Sequence, residues 1–301
     1  MTGNVIVTGS KGWLSREFLE YQFQEINEID PNTFKLLGRG QSKLILSNGE
    51  EIIQEDFMTT SPKGEVEGIV HLAFLTKDKL NNMQKKLYQD ENSRITLRLK
   101  SLIQEKSPKW LIIVSSGAAS VAKYGFSNSA IDVYGTCKID EENILREICS
   151  KTNTGFVCGR LWGALGKFMP VNRSYAASDF IYTALTKNQI TISNPDLIYR
   201  RFVDAGEFMN LLFTVAKSGK ALELNSGGHS IELGDLAKKI GLFLNIDAIL
   251  RPQISKIIDK SYLPPDNSYE ESAANFGLSL SGIDTIVKRT IDGHKSQLGI
   301  Q

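Results

Sequence analysis

With 301 residues, 35 basic and 34 acidic side chains and a net charge of +1, the chain can bury a large core and offers no charge excess for nucleic acid or a membrane surface. No apolar run approaches the roughly 20 residues that span a bilayer, and the first residues run straight into a strand pattern, so the expectation is a cytoplasmic protein without a signal peptide. Cys137, Cys149 and Cys158 are odd in number and lack metal-ligand spacing, and His71, His229 and His294 are scattered, which argues for a reducing setting and against a metal centre.

Val5-Ile6-Val7 predicts a first strand, and Phe18, Leu19 and Phe23 recur at helical spacing after the turn Thr8-Gly9-Ser10-Lys11-Gly12-Trp13-Leu14-Ser15. Strand, glycine turn and helix form the phosphate-binding opening of a doubly wound fold. Gly9 permits the tight turn, and Gly12 lets the backbone approach a pyrophosphate at the helix N-terminus. Ser15 stands where a third glycine would pack helix on strand. A plain glycine turn is the competing reading, weakened by the position at the first strand.

A second strand over 34–37 leads to Gly38-Arg39-Gly40. The end of this strand faces an adenosine ribose in such folds, and a carboxylate there selects NAD. Arg39 instead suits a 2′-phosphate through charge and its bidentate fork, and Lys11 adds a second positive charge. The pair is read as selecting NADP(H), with NAD as the alternative; a solvated loop residue is the competing reading for Arg39, and more so for Lys11.

A hairpin is expected over 43–53 around Ser47-Asn48-Gly49, then Asp56-Phe57, a third strand over 68–73 and a long polar helix over 77–105. His71, inside an apolar run, reads as structural. A fourth strand over 109–114 runs into Ser115-Ser116-Gly117-Ala118 and then Tyr134-Gly135-Thr136-Cys137-Lys138. Tyr134 and Lys138, four apart, share one helix face. An ammonium beside a phenol favours phenolate, so such a tyrosine can pass a proton to or from a substrate oxygen that a nearby serine hydrogen-bonds. In isolation this spacing is more often an ordinary helix with a surface lysine.

A fifth strand over 155–161 completes an alternation of strands and helices that argues for a parallel sheet. A mixed region follows: a loop over 162–173, a helix over 178–186, strands over 190–192 and 198–203, a helix over 205–216 and a strand over 222–225. Gly227-Gly228 reads as a turn, Ser230 as the cap of a helix over 233–244, and Pro264-Pro265 as a break before a short helix. The last helix covers 283–291, with Gly293 just past its end. The expected class is α/β: a Rossmann-type doubly wound parallel sheet with a smaller C-terminal substrate-binding lobe. The nucleotide domain is 1–161, with 199–225 returning to it in part, and the lobe is 162–198 and 226–301.

The opening loop, Ser115-Ser116-Gly117-Ala118 and Tyr134-Gly135-Thr136-Cys137-Lys138, in that order, resemble the extended short-chain dehydrogenase/reductases, in the nucleotide-sugar epimerase/dehydratase/reductase branch. The resemblance extends to Asp56-Phe57, which meets adenine in that family, to His71-Leu72-Ala73 beside the cofactor, and to the helix asparagine Asn92. It also covers Arg200-Arg201-Phe202-Val203-Asp204, where Arg201 replaces the family's Asp, and Asp266-Asn267-Ser268 with Phe276-Gly277-Leu278. It implies Tyr134 as acid/base, Lys138 as its partner and ribose ligand, and Ser116, rather than Ser115, as the group holding the substrate oxygen. Gly9, Lys11, Gly12, Trp13, Leu14, Arg39, Asp56, Phe57, Leu72, Ala73 and Asn92 complete the implied cofactor site, and Arg200 would grip a substrate diphosphate.

Sugar 4,6-dehydratases of the family place Asp-Glu after the catalytic Ser/Thr; Gly117 and Ala118 stand here, so dehydration lacks its acid and base. Epimerases keep NAD, whereas Gly38-Arg39 points to NADP. The expected reaction is therefore NADPH-dependent reduction of a keto group on a nucleotide-activated sugar such as a 4-keto-6-deoxyhexose. Alternatives are a nucleotide-sugar epimerase, a reductase of a non-sugar ketone or aldehyde, and a non-enzymatic NADP-binding sensor, which the retained Tyr134 and Lys138 disfavour. By resemblance a homodimer would form through the Asn92 and Tyr134 helices.

Overall fold

The computed structural model describes residues 3–25, 31–123, 130–171, 175–192, 196–249 and 261–300. Met1, Thr2 and Arg173, which the sequence reading touched, lie outside them. The chain divides into two compact units, Met1–Leu161 with Met209–Leu224, and Trp162–Phe208 with Asn225–Gln301.

The first unit is a doubly wound α/β fold. Its elements are β1 (Asn4–Thr8), α1 (Trp13–Glu20), β2 (Phe34–Gly38), β3 (Ser42–Ile45), β4 (Glu51–Asp56), β5 (Val66–His71), α2 (Lys85–Lys106), β6 (Trp110–Ser116), α3 (Gly117–Lys123), α4 (Ala130–Thr152) and β7 (Gly155–Leu161). With β11 (Leu222–Asn225) the strands form one eight-stranded sheet ordered β11-β7-β6-β5-β1-β2-β4-β3. The pairings from β7 through β4 are parallel, and β3 joins β4 antiparallel. Central strands covered on both faces must be apolar throughout, and Val5, Ile6, Val7, Leu111, Ile112 and Ile113 are all fully buried. Ile6, Ile69, Leu99, Leu111, Ile113, Leu145 and Phe156 share one core cluster. Phe18 meets Phe34 and Phe213 edge-on, and Trp110 meets Phe213.

Successive strands run outward in opposite directions from β1, so the winding reverses between β1 and β5, where Thr8 pairs with His71. Ligands of doubly wound sheets bind outside the carboxyl ends of the strands at such a reversal.

Three first-unit boundaries differ from expectation. The third strand ends at His71: the Leu72 amide still reaches the Thr8 carbonyl at 3.2 Å but is shared with Thr8 Oγ1 at 3.2 Å, and the Ala73 amide turns to the same hydroxyl at 3.3 Å. The helix expected over 77–105 is a 3₁₀ segment, Lys77–Asn82, followed by α2. Asn81 and Asn82 are weak helix formers, and Met83 and Gln84 are extended between the two pieces. The fourth strand continues through Ser116, which pairs with Leu161. The hairpin closes through Gly49 at φ 87°, with Lys43 paired to Glu51 at 2.6 Å and Ile45 and Ile53 exposed.

The second unit contains β8 (Ala164–Leu165), α5 (Ala176–Lys187), β9 (Ile190–Thr191), β10 (Tyr199–Asp204), β12 (His229–Glu232), α7 (Leu233–Leu244), β13 (Ala248–Ile249), α8 (Ser268–Asn275) and α9 (Ile283–Leu298). Helix α6 (Ala205–Lys217) has residues in both units. β12, β10 and β8 form a three-stranded sheet, and β13 pairs with β9. β8 falls inside the expected 162–173 loop. Ser230 does not cap α7: it pairs with Arg201 in β12, and the cap is Glu232, whose Oε2 accepts from Gly234 N at 2.7 Å. Gly293 lies within α9, which continues to Leu298; a Cβ there would stand 1.8 Å from the Lys167 carbonyl oxygen. The helix therefore uses glycine for close backbone approach rather than as a stop, and Gly299 in the left-handed region ends it.

Arg201, the departure from the resemblance, is the hub of this unit. It donates to the Gly228 and Asp266 carbonyls, to Asn267 Oδ1 at 2.8 Å and to Glu270 Oε1 at 2.6 Å. Asp266 in turn accepts from Ser268 and Asn225.

Candidate active site

The glycine loop follows from close backbone contact at the β1–β5 reversal. Gly9 has φ 66°, and a Cβ on it would lie 2.6 Å from Leu72 and Ala73 backbone atoms. Gly12 N donates to Gly9 O at 2.8 Å, and Gly12 is the N-cap of α1 without a side-chain cap. Ser15, the departure from the third glycine, is fully buried and closes the loop by donating to Gly9 O at 2.8 Å. Trp13 and Leu14 open α1, both half-buried. A cradle this tight, ending in uncapped helix N–H groups, fits a pyrophosphate.

Lys11 and Arg39 are exposed. Behind them lies Gln54, a residue the sequence reading passed over. Buried on β4, it accepts from Ser10 Oγ at 2.7 Å and donates to the Gly40 and Arg39 carbonyls at 2.9 and 3.3 Å. It thereby links the glycine loop to the end of β2. Gly38 is required there, since a Cβ would stand 2.3 Å from Gln54 Oε1. A lone polar residue in a strand reads as a solvent-facing position, so the sequence held no distinguishing signal. Asp56 holds the same loop by accepting from Gly40 N at 2.7 Å and also from Met58 and Thr59; the Gly40 amide is the chief cause holding its carboxyl below the usual range. Phe57 is buried in the core.

Asn92, on α2, is buried and spends its amide on the backbone of Leu75, accepting from its N–H at 2.8 Å. Tyr88 also donates to the Leu75 carbonyl. The two side chains fix the segment that leaves β5 and carries Leu72, Ala73 and Phe74.

Strand alternation separates the two serines of β6. Ser115 is buried, while Ser116 is half-buried at the strand end and accepts from Ala118 N at 3.2 Å. Gly135 lets α4 approach α3, since a Cβ would lie 2.4 Å from Ala118 O. Tyr134, half-buried, meets Phe74 edge-on at 5.9 Å. Lys138 is 5% exposed; its Nζ donates to the Val114 carbonyl at 3.0 Å and to Glu141 at 2.9 Å, and lies 3.6 Å from the Phe74 ring centre.

The first unit thus brings the glycine loop, the β2 end, Ser116, Tyr134 and Lys138 to one sheet edge. Arg200 belongs to the second unit, where its guanidinium lies 5.5 Å from the Tyr262 ring and burial lowers its pKa. Among the described residues no cluster of three His, Cys, Asp or Glu side chains could hold a metal ion, and no helix is long and apolar enough to cross a membrane. The three cysteines are free and buried.

A family model described as the NAD dependent epimerase/dehydratase family matches residues 5–228. A search of curated proteins found no match. Among solved structures, the UDP-N-acetylglucosamine 4-epimerase of Methanobrevibacter ruminantium is 19% identical with a TM-score of 0.74, covering 99% of this chain and 100% of that one. The UDP-glucose 4-epimerase of Thermotoga maritima is 16% identical with a TM-score of 0.72, covering 98% and 99%. The dTDP-glucose 4,6-dehydratase of Bacillus anthracis, in complex with NAD, is 16% identical with a TM-score of 0.68, covering 98% and 97%. At these identities the likeness establishes the fold.

Proposed function

The chain belongs to the NAD dependent epimerase/dehydratase family and is an enzyme of the extended short-chain dehydrogenase/reductase type; from that premise we propose that it reduces a keto group on a nucleotide-activated sugar, such as a 4-keto-6-deoxyhexose, using NADPH. The observation that carries this reading is the start of α3: Gly117 and Ala118 follow Ser116, where a dehydratase needs an acid and a base. The exposed Arg39 at the end of β2 supports NADPH over NADH.

In this reading the uncapped N-terminus of α1 binds the pyrophosphate, and Arg39 and Lys11 bind the 2′-phosphate. Lys138 holds the nicotinamide ribose beside Tyr134. When bound, the dihydronicotinamide supplies hydride to the carbonyl carbon. Ser116 Oγ donates to the carbonyl oxygen, and Tyr134 Oη delivers the proton that oxygen needs as it becomes a hydroxyl. Arg200 takes the substrate diphosphate.

The test is NADPH oxidation over 4-keto-6-deoxy sugars carrying dTDP, GDP, CDP or UDP. Consumption with one of them is expected, and Tyr134→Phe should lower turnover on the order of a thousandfold with NADPH binding retained. A Tyr134→Phe protein that turns over normally removes Tyr134 as the acid/base. A second reading, a nucleotide-sugar epimerase, is favoured by the two 4-epimerases among the similar structures. NAD held tightly through purification, with no NADPH consumption, would select it.

A further inference from the structure

One turn past Lys138, helix α4 carries an ionisable group that the proposed reaction does not use. Glu141 is 1% exposed; its Oε2 accepts from Lys138 Nζ at 2.9 Å, and its Oε1 faces His71 Nε2 at 3.3 Å. The His71 contact is an electrostatic approach rather than an aligned hydrogen bond. The other ring nitrogen, Nδ1, lies 2.7 Å from Thr8 Oγ1. Thr8 Oγ1 also accepts from the Leu72 and Ala73 amides at 3.2 and 3.3 Å, the Leu72 amide being shared with the Thr8 carbonyl. A chain of polar contacts thus runs from the β1–β5 reversal to the lysine beside Tyr134.

We propose that Glu141, oriented by His71 and Thr8, is the positioning residue that keeps the buried Lys138 an ammonium and holds it beside Tyr134. Burial removes water from this cation, and a buried lysine without a counter-ion gives up its proton. Among the described residues Glu141 is the sole carboxylate within ion-pair reach of Nζ. Burial alone would lower the lysine and raise the glutamate, yet Lys138 is held above its usual value and Glu141 below, each by the other and Glu141 also by His71. The other titratable groups around Lys138 are phenols and thiols, not carboxylates. Tyr134 and Cys137 share its helix and Cys158 comes from β7, while Tyr88 of α2 acts on Tyr134 and Cys137 rather than on the lysine. Burial pushes Cys137 up to about 11 and Cys158 and Tyr88 well upward. The Phe74 face and the Val114 carbonyl complete the cation's cage.

The inference rests on the proposed function only in giving Lys138 the task of serving Tyr134; the charge state belongs to the cofactor-free protein and is read there. Nuclear magnetic resonance of isotope-labelled lysine side chains, with Lys138 assigned by its loss in Lys138→Arg, follows its titration. In the wild type Lys138 stays charged through neutral pH. In Glu141→Gln its titration should fall by roughly two units or more. In His71→Asn, which keeps both charges but loses the orienting ring, the fall should be smaller. A Glu141→Gln protein whose Lys138 titrates as in the wild type overturns the proposal. Should Glu141→Gln fail to fold, an unshifted Lys138 in folded His71→Asn overturns it equally. In turnover, Glu141→Gln should bring the alkaline loss of kcat to lower pH. A shifted lysine with no keto-sugar reduction would leave the positioning role standing and remove the substrate reading.

Discussion

Ser115 and Ser116 stand side by side at the end of β6, and strand alternation assigns them different tasks. The hydroxyl of Ser115 is buried and pairs with nothing among the described residues, whereas Ser116 sits half-buried at the sheet edge. Ser116→Ala should therefore lower kcat about a hundredfold, the usual loss for one donor to a developing oxyanion, while Ser115→Ala should leave turnover within a few-fold. Steady-state kinetics on the two variants checks both. Arg39 makes a separate prediction about selectivity. Arg39→Ala should weaken NADPH by roughly ten- to a hundredfold, the worth of charge-assisted hydrogen bonds, and leave NADH nearly unchanged. Fluorescence titration with the two cofactors decides it, and equal losses would remove the 2′-phosphate role.

Among the elements, the second strand and the last helix each depend on one glycine for a different reason. Gln54 crosses the space a Gly38 side chain would need, so Gly38→Ala must displace it and with it the Ser10–Gly40 link. A loss of about 1–3 kcal/mol is expected, read as a lowered thermal midpoint, together with weaker NADPH binding. Gly293→Ala would meet a backbone carbonyl that cannot rotate away, and its loss should be larger and confined to stability. The contrast also shows what sequence can carry. The apolar strands, the glycine turn and the Tyr134–Lys138 face were legible because periodicity and spacing encode them locally. The span of α9 was not, because a helical glycine looks like a stop until the neighbouring backbone is seen. β12 was hidden by Gly227-Gly228 and by a polar run, and Ser230 resembled a cap because only the ladder shows it paired with Arg201. Gln54 and Glu141 look like surface residues in the sequence; burial identifies them, and burial depends on strands and helices far apart in the chain.

At the scale of the whole molecule, stability should bend with pH where buried groups resist protonation. His294 is fully buried, and burial lowers its pKa against a smaller upward pull from the Thr290 carbonyl. Its folded value lies below the ordinary 6.5, so the stability it contributes is full above about that pH and is lost as pH falls through the folded value. Thermal midpoints should decline on acidification from about pH 6.5, with a shallower decline in His294→Asn. The sheet has a consequence beyond catalysis. Its border is β3, a four-residue strand whose sole charge is Lys43, with Ile45 54% exposed beside it. An unpaired strand border is an invitation to zip onto another chain, and a short strand bearing a lysine withholds it. Lys43→Val would leave Ser-Val-Leu-Ile along that border, and light scattering at high concentration should rise while the thermal midpoint scarcely moves. The ion pair with Glu51 adds little to folding at so exposed a site; the lysine's worth lies in keeping crowded molecules apart.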